Sequence, residues 1–415
     1  VVAWSMERTL TRSSELYLAG TRIESTRHTE ELRLAATLYV RNGDRMGSAS
    51  LELAPGEVAD AEARVEESVE LARAAAFEPY QLPGPAPLPE VATIDSEIVD
   101  HPDGMLDALR GRLIDAGDQE ERTRLASAEF FLFHDEVLLE NSEGLTADRS
   151  GTRATCEIVL LSTGEGNREA EGWRLTRRRR GEDLEIEHRV SRLSEETRDA
   201  TRAEPTPTWE GSVLLGAEHV RNFFDPLIVQ ASAESAYDGT SHRKPGAPYL
   251  EGEVRGDRLS VATDATLPYG TQSASCDDDG VPARRVLLID DGIFQRRWGT
   301  QRYASYLGTD PTGSFSNLVV EPGNTSDADL GAGPDLLEVR RFSWLNPRQT
   351  GDLSSEIRFG YLRRGGRRIP IRGGLLTGDV FAALADCRLA RETAFAGNAQ
   401  VPVRIRFNRL RTVGV

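Results

Sequence analysis

SASCDDDGVPARRVLLIDDG, residues 273–292, packs one cysteine, five aspartates and the Arg284-Arg285 pair into one segment. Acid clusters and cysteines bind metals, so the stretch reads either as a metal site or as an acidic turn. A calcium loop needs oxygens at alternating positions over about twelve residues and a closing Glu. That spacing is absent here. Asp279-Gly280 and Asp291-Gly292 are strong turn signals, and they bracket the strand-like run RRVLLI. The stretch therefore reads as turn, strand, turn, with Arg284 and Arg285 offsetting part of the acidity.

The same pattern continues outward from about residue 211. GDRLSVATDA, SSEIRFGYLRRGGRRIPIRG and VPVRIRFNRLRTVG are strand-like runs between Gly-rich turns. One helix is expected over about 217–231, AEHVRNFFDPLIVQA, and a late one over GDVFAALADCRL. Upstream the pattern differs. Period-two bursts around Asn42-Gly43 predict a β-hairpin. Val58, Ala61, Val65, Val69, Ala72 and Ala76 share one face of a helix that starts near Pro55. EPYQLPGPAPLPEV, with five prolines between Pro79 and Pro89, is an extended connector. A second helix is expected over 103–127, then strands around the turn Asn141–Gly144, then a third helix in DLEIEHRVSRLSEETRDATRA. The expected fold is α+β: an N-terminal domain, 1–207, with long helices packed on a sheet, and a β-rich C-terminal domain, 208–415. Pro205 and Pro207 mark the boundary.

Bulk properties narrow the function. A chain of 415 residues suits two domains or three. A net charge of −17 disfavours binding that rests on phosphate contacts. Arg177–Arg180 is a local exception, read as a solvated hairpin end. Lys244 is the single lysine among 50 basic residues, which we read as base composition. No apolar run is long enough to span a membrane, and VVAWSMERTL lacks the pattern of a signal peptide. Three cysteines far apart argue against a disulfide scaffold and fit a cytoplasmic location.

The order of several blocks resembles the TldD/TldE (PmbA) family of metallopeptidase-related proteins. The blocks are LSVATDATLPYG, then CDDDGVPARRVLLIDDGIFQRRW, YASYLGTDPTGSFSN, and NPRQTGDLSSEIRFGYLRRGGRRIPIRGGLLTGDVFAALADC. Upstream, LLENSEG resembles the family's NS-G turn and LYVRNGDRMGSAS its N-terminal hairpin, so the resemblance covers nearly the whole chain. It implies that active members carry H-E-x-x-x-H on a helix early in the second domain. There two imidazoles hold zinc, a carboxylate activates water, and a late cysteine completes the site. Zinc needs neutral nitrogen or thiolate ligands, and the water needs a base.

This chain contains neither H-E-x-x-x-H nor H-E-x-x-H. Aligned on VLLGAEHVRNFF and SAYDGTSH, Asp225-Pro226 falls where His-Glu would stand, and Gln230 where the second His would stand. Pro226 lacks a backbone donor and ends or kinks a helix unless it lies in the first turn. The segment FAGNAQVPVRIRF carries no cysteine, and Cys387 is expected in the late helix as a buried hydrophobe. G-x-S-x-G, P-loop and strand-linked G-x-G-x-x-G motifs are also missing.

The resemblance thus points to the TldE/PmbA-like branch: no catalytic residue and no metal in this chain, and zinc in a TldD-like partner subunit. The expected ligand is an unfolded or precursor peptide, a homodimer is possible without the partner, and neither membrane nor nucleic acid is expected. The family's older label, modulator of DNA gyrase, implies DNA involvement, which the charge does not favour. Cleft candidates are Glu218, His219, His242 and Asp264. Two alternatives stay open: a free-standing metallohydrolase with an atypical site near Glu218, His219 and His242, and an assembly protein without a peptide cleft.

Overall fold

The structure, a computed structural model, describes residues 1–53, 56, 61–333 and 335–414. The first unit opens with β1 (Ala3–Ala19), β2 (Arg22–Asn42), β3 (Arg45–Leu53) and α1 (Ala61–Ala74). It continues through α2 (Ser96–Asp100), α3 (Pro102–Asp118), β4 (Thr123–Asn141), β5 (Thr146–Thr163), β6 (Glu169–Arg178) and α4 (Ile186–Ala200). The six strands form one antiparallel sheet in the order β3-β2-β1-β4-β5-β6. Nearly every neighbour is a hairpin neighbour, which is why the sequence pattern reads so directly. The expected hairpin at Asn42-Gly43 joins β2 to β3, and Gly43 takes the left-handed φ of +65° that such a turn needs.

Alternation assigns the two faces of this sheet. Leu16, Leu18, Phe130, Leu132, Ile158 and Leu160 point to one face, where Leu106, Leu109 and Leu113 of α3 and Val190 and Leu193 of α4 bury them. The opposite face, carrying Glu7, Thr9, Asp135 and Arg149, turns to the second unit. Two expectations need adjustment. The second helix stops at Asp118 rather than 127, and the chain turns through Arg122 at φ +57° into β4. Of the first helix's face, Ala61, Val65, Val69 and Ala72 lie in α1, Ala76 lies beyond its end, and Pro55 and Val58 lie outside the described residues.

The second unit is built on a six-stranded and an eight-stranded sheet. One hydrophobic cluster joins them, with Val213, Leu337 and Ile405 from one sheet and Val261, Leu288 and Leu318 from the other. The expected helix at 217–231 is two helices, α5 (Ala217–Phe223) and α6 (Asp225–Gln230). Pro226 explains the break: it has no N–H to donate, so it sits in the first turn of a new helix. The late helix is shorter than expected, Val380–Ala385. Cys387 lies in a strand, Cys387–Leu389, that pairs with Ile405–Phe407. It is fully buried, as are the other free cysteines, Cys156 and Cys276. The architecture is thus α+β, with helices packed on an N-terminal sheet followed by a β-rich region. Among the described residues no helix is long and apolar enough to cross a membrane.

Candidate functional site: the interdomain cleft and the motif helix

A cleft of about 460 Å³ separates the bare face of the N-terminal sheet from loops of the second unit. Period-two alternation puts Glu7, Thr9, Asp135, Val137, Arg149 and Arg153 on one wall. The segments 271–283 and 312–316 contribute to the other.

The acidic stretch forms part of that second wall. Asp277 behaves as a turn residue: its Oδ1 accepts from the N–H of Asp279 (3.0 Å) and Val281 (2.9 Å), and its Oδ2 from Ser314 N–H (2.9 Å). Gly280, at φ +93°, lies against the N-terminal unit so closely that a Cβ there would meet Leu145 at 2.1 Å. Cys276 joins Leu139, Leu145 and Ala147 in a small apolar cluster across the seam. The neutralising cation is not the adjacent arginine pair. Arg149 of β5 reaches Asp278 (2.9 Å) and Glu7 (2.8 Å), while Arg285 pairs with Glu321.

The arginine run is not a solvated hairpin end. Arg177 is exposed, but Arg178 is buried and donates to Phe395 O (2.8 Å). Burial lowers its pKa to about 10. Arg179 crosses the seam and donates to the carbonyls of Gly270 (3.1 Å), Ser273 (2.7 Å) and Thr152 (3.2 Å). Gly151 leaves room for it, since a Cβ there would lie 2.4 Å from Nη1. Arg180 makes a two-bond fork with Asp183 and stacks over Tyr269 at 4.3 Å. A charge run looks solvated in sequence because the carbonyls that take its hydrogen bonds lie about 90 residues away.

The motif helix sits beside the same cleft. Phe315 lines the cleft, Arg221 of α5 stacks over its ring at 5.0 Å, and Arg221 pairs with Asp225. Gln230 is equally committed. Its Nε2 donates to Gln349 O (2.8 Å), and its Oε1 accepts from Arg243 (3.1 Å). The donor set therefore does not fit zinc: Asp225 is neutralised by a guanidinium, Pro226 has no ligating atom, and Gln230 is an amide engaged with protein.

The other candidates are not brought together. Glu218 points at Arg192 (2.8 Å) and Arg174 (3.5 Å) of the N-terminal unit. Burial raises its pKa, but Arg192, His219 and Arg174 outweigh that and hold it well below the usual carboxylate range. His219 turns the other way, with Nε2 3.2 Å from Arg340 O and its ring edge-on to Phe342, and burial lowers its pKa. His242 is exposed in a loop. Asp264 is buried at a strand end, where its Oδ1 accepts from the N–H and Oγ of Thr266. Among the described residues no group of three or more His, Cys, Asp or Glu is placed to hold a metal ion. The sequence does not single out Arg149, Arg153 or Phe315, because single residues in separate strands and loops carry no local signal, whereas Arg179 stands in a run whose role it hides.

Two units thus flank one cleft, with a broken helix beside it. Residues 208–414 match the family model described as the PmbA/TldA metallopeptidase C-terminal domain. The chain belongs to the PmbA/TldD family of metallopeptidase-related proteins. An uncharacterized protein of Methanocaldococcus jannaschii is 23% identical over 256 residues, a match covering 59% of each chain and so less than two thirds of that relative. Among solved structures, TldE of Thermococcus kodakarensis superposes with a TM-score of 0.83 at 18% identity, over 100% of this chain and 97% of that one. A candidate modulator of DNA gyrase from Bacteroides thetaiotaomicron gives 0.81 at 16% identity, over 100% and 95%. At these identities the superpositions establish the fold.

Proposed function

We propose that this chain is the non-catalytic, TldE/PmbA-like subunit of a heteromeric metallopeptidase acting on unfolded or precursor peptides. Its cytoplasmic partner is a TldD-like chain that carries the zinc. The observation that carries this reading is the state of α5 and α6. The architecture around the motif position persists, yet Asp225 is paired with Arg221 and Gln230 is spent on Gln349 and Arg243. A fold retained without its ligands favours binding over chemistry.

The cleft favours this reading over a bare assembly protein. It has room for a few peptide residues, and mixed polar and apolar walls suit an extended backbone. The divergence of Glu218 and His219, with His242 exposed, weighs against a free-standing metallohydrolase. The net charge of −17 weighs against a DNA-binding role.

The test is co-expression with a related chain that carries H-E-x-x-x-H. We expect co-purification and chelator-sensitive cleavage of an unfolded peptide that needs both chains. Failure to associate, together with cleavage by the other chain unchanged by this one, sinks the proposal. So does zinc-dependent cleavage by this chain alone.

A further inference from the structure

Four arginines border the cleft, and three are already spent. Arg33 pairs with Glu52, Arg149 pairs with Glu7 and Asp278, and Arg179 serves three carbonyls. Arg153 differs. It is exposed, and among the described residues no carboxylate lies within ion-pair distance of it. Its guanidinium stacks 4.1 Å over the ring of Phe133, the residue directly opposite on β4. Stacking holds the planar fork in place before any ligand arrives, so little ordering remains for a ligand to offset.

The charges nearby leave this arginine uncompensated. On the same wall Asp135 accepts from Thr11 Oγ (2.7 Å). Arg179 feels both Asp135 and Arg153, and burial, with Arg153 adding, holds its pKa below the ordinary value. The other carboxylates of the lining are engaged elsewhere, Glu7 and Asp278 with Arg149 and Asp277 with its own turn, so Arg153 keeps an unpaired guanidinium at the cleft.

We infer that Arg153 is a specificity-determining residue that takes a carboxylate of the bound peptide: the C-terminal carboxylate or an Asp or Glu side chain. A guanidinium fork matches a carboxylate with two parallel hydrogen bonds. The inference rests on the peptide-binding reading above. It adds the end of the peptide, or the residue class, that the cleft selects.

The test uses a fluorescently labelled, ten-residue Ala/Ser peptide in three forms: the free acid, the C-terminal amide, and the amide with one internal Asp. Binding is measured by anisotropy at low salt, because an exposed charge is screened at high salt. The wild type should bind the free acid about tenfold more tightly than the plain amide. Arg153→Ala and Arg153→Gln should lose that preference while keeping amide binding, and Arg153→Lys should keep part of it. If the Asp-bearing amide matches the acid, the carboxylate can come from a side chain, which supports the inference. Equal binding of all three forms overturns it, as does a preference that survives Arg153→Ala. Binding of none of the three fails the peptide-cleft reading itself, and this inference falls with it.

Discussion

Two runs of like charge meet at the same seam. Arg177–Arg180 ends β6, and Asp277–Asp279 opens the acidic turn facing it. The aspartates are satisfied largely at home: Asp277 caps its own turn, and only Asp278 needs a cation from the other unit. The arginines work at a distance, with Arg179 on Gly270 and Ser273 and Arg178 on Phe395. A short carboxylate reaches the N–H groups two residues on, whereas a long guanidinium reaches across a domain boundary. The same seam is tied again at Glu196 of α4, whose fully buried carboxylate meets Arg340 of the second unit at 3.1 Å.

The contrast predicts unequal costs. Arg179→Met strips donors from Gly270 O, Ser273 O and Thr152 O at once. Gly270 O keeps the N–H of Ser273 (3.0 Å), but the loss of the charged donor to all three carbonyls is costly, and urea denaturation should show a loss of about 3 kcal/mol. A loss under about 1 kcal/mol would mean that water replaces the guanidinium and the seam is wetter than drawn. Asp277→Ala removes one acceptor group serving three N–H donors, two of them in its own turn. The turn can relax into solvent, so about 1.5 kcal/mol is expected. If Asp277→Ala proves the costlier change, the comparison is reversed and the turn, not the arginine, fastens the domains.

The difference also explains what was legible. Strand alternation, the Asn42-Gly43 and Asn141–Gly144 turns, the Pro-rich connector and the amphipathic helices depend on neighbours in sequence, and all were readable. So was the acidic turn, because Asp279-Gly280 encodes its own geometry. The split of α5 from α6 was half legible: Pro226 announced a break or a first turn, and packing chose the first turn. The cleft was not legible. Arg153 becomes notable only once β4 and β5 pair Phe133 with it, and Phe315 only once Arg221 stacks on it. That Glu218 and His219 diverge follows from their adjacency on a helix, but their partners, Arg192 and the carbonyl of Arg340, were not legible.

The smallest expected effect tests whether the acidic turn is fully satisfied. Asp279 makes no ion pair among the described residues. Burial, then Asp277 and Asp278, pushes its pKa from the ordinary 3.8 up to about 6, against a weaker opposing pull from the N–H of Gln301. Tyr39 and Tyr80, both close enough to feel its charge, stay neutral throughout this range because their own pKa values are raised. A carboxyl with a raised folded pKa binds its proton more tightly in the folded state than in the unfolded one. Stability from this group is therefore present at low pH and is lost as pH climbs from about 3.8 to about 6. Glu187 runs the other way, lowered to about 2 chiefly by its bond to Arg112, and its contribution is lost on acidification. The two trends overlap in wild-type data, so the informative quantity is a difference. Relative to wild type, Asp279→Asn should gain stability between pH 4 and pH 7, by less than about 1 kcal/mol after solvent screening. Denaturant midpoints measured across that range provide the check. A constant offset between the two proteins would mean that Asp279 titrates normally and that solvent reaches its carboxylate.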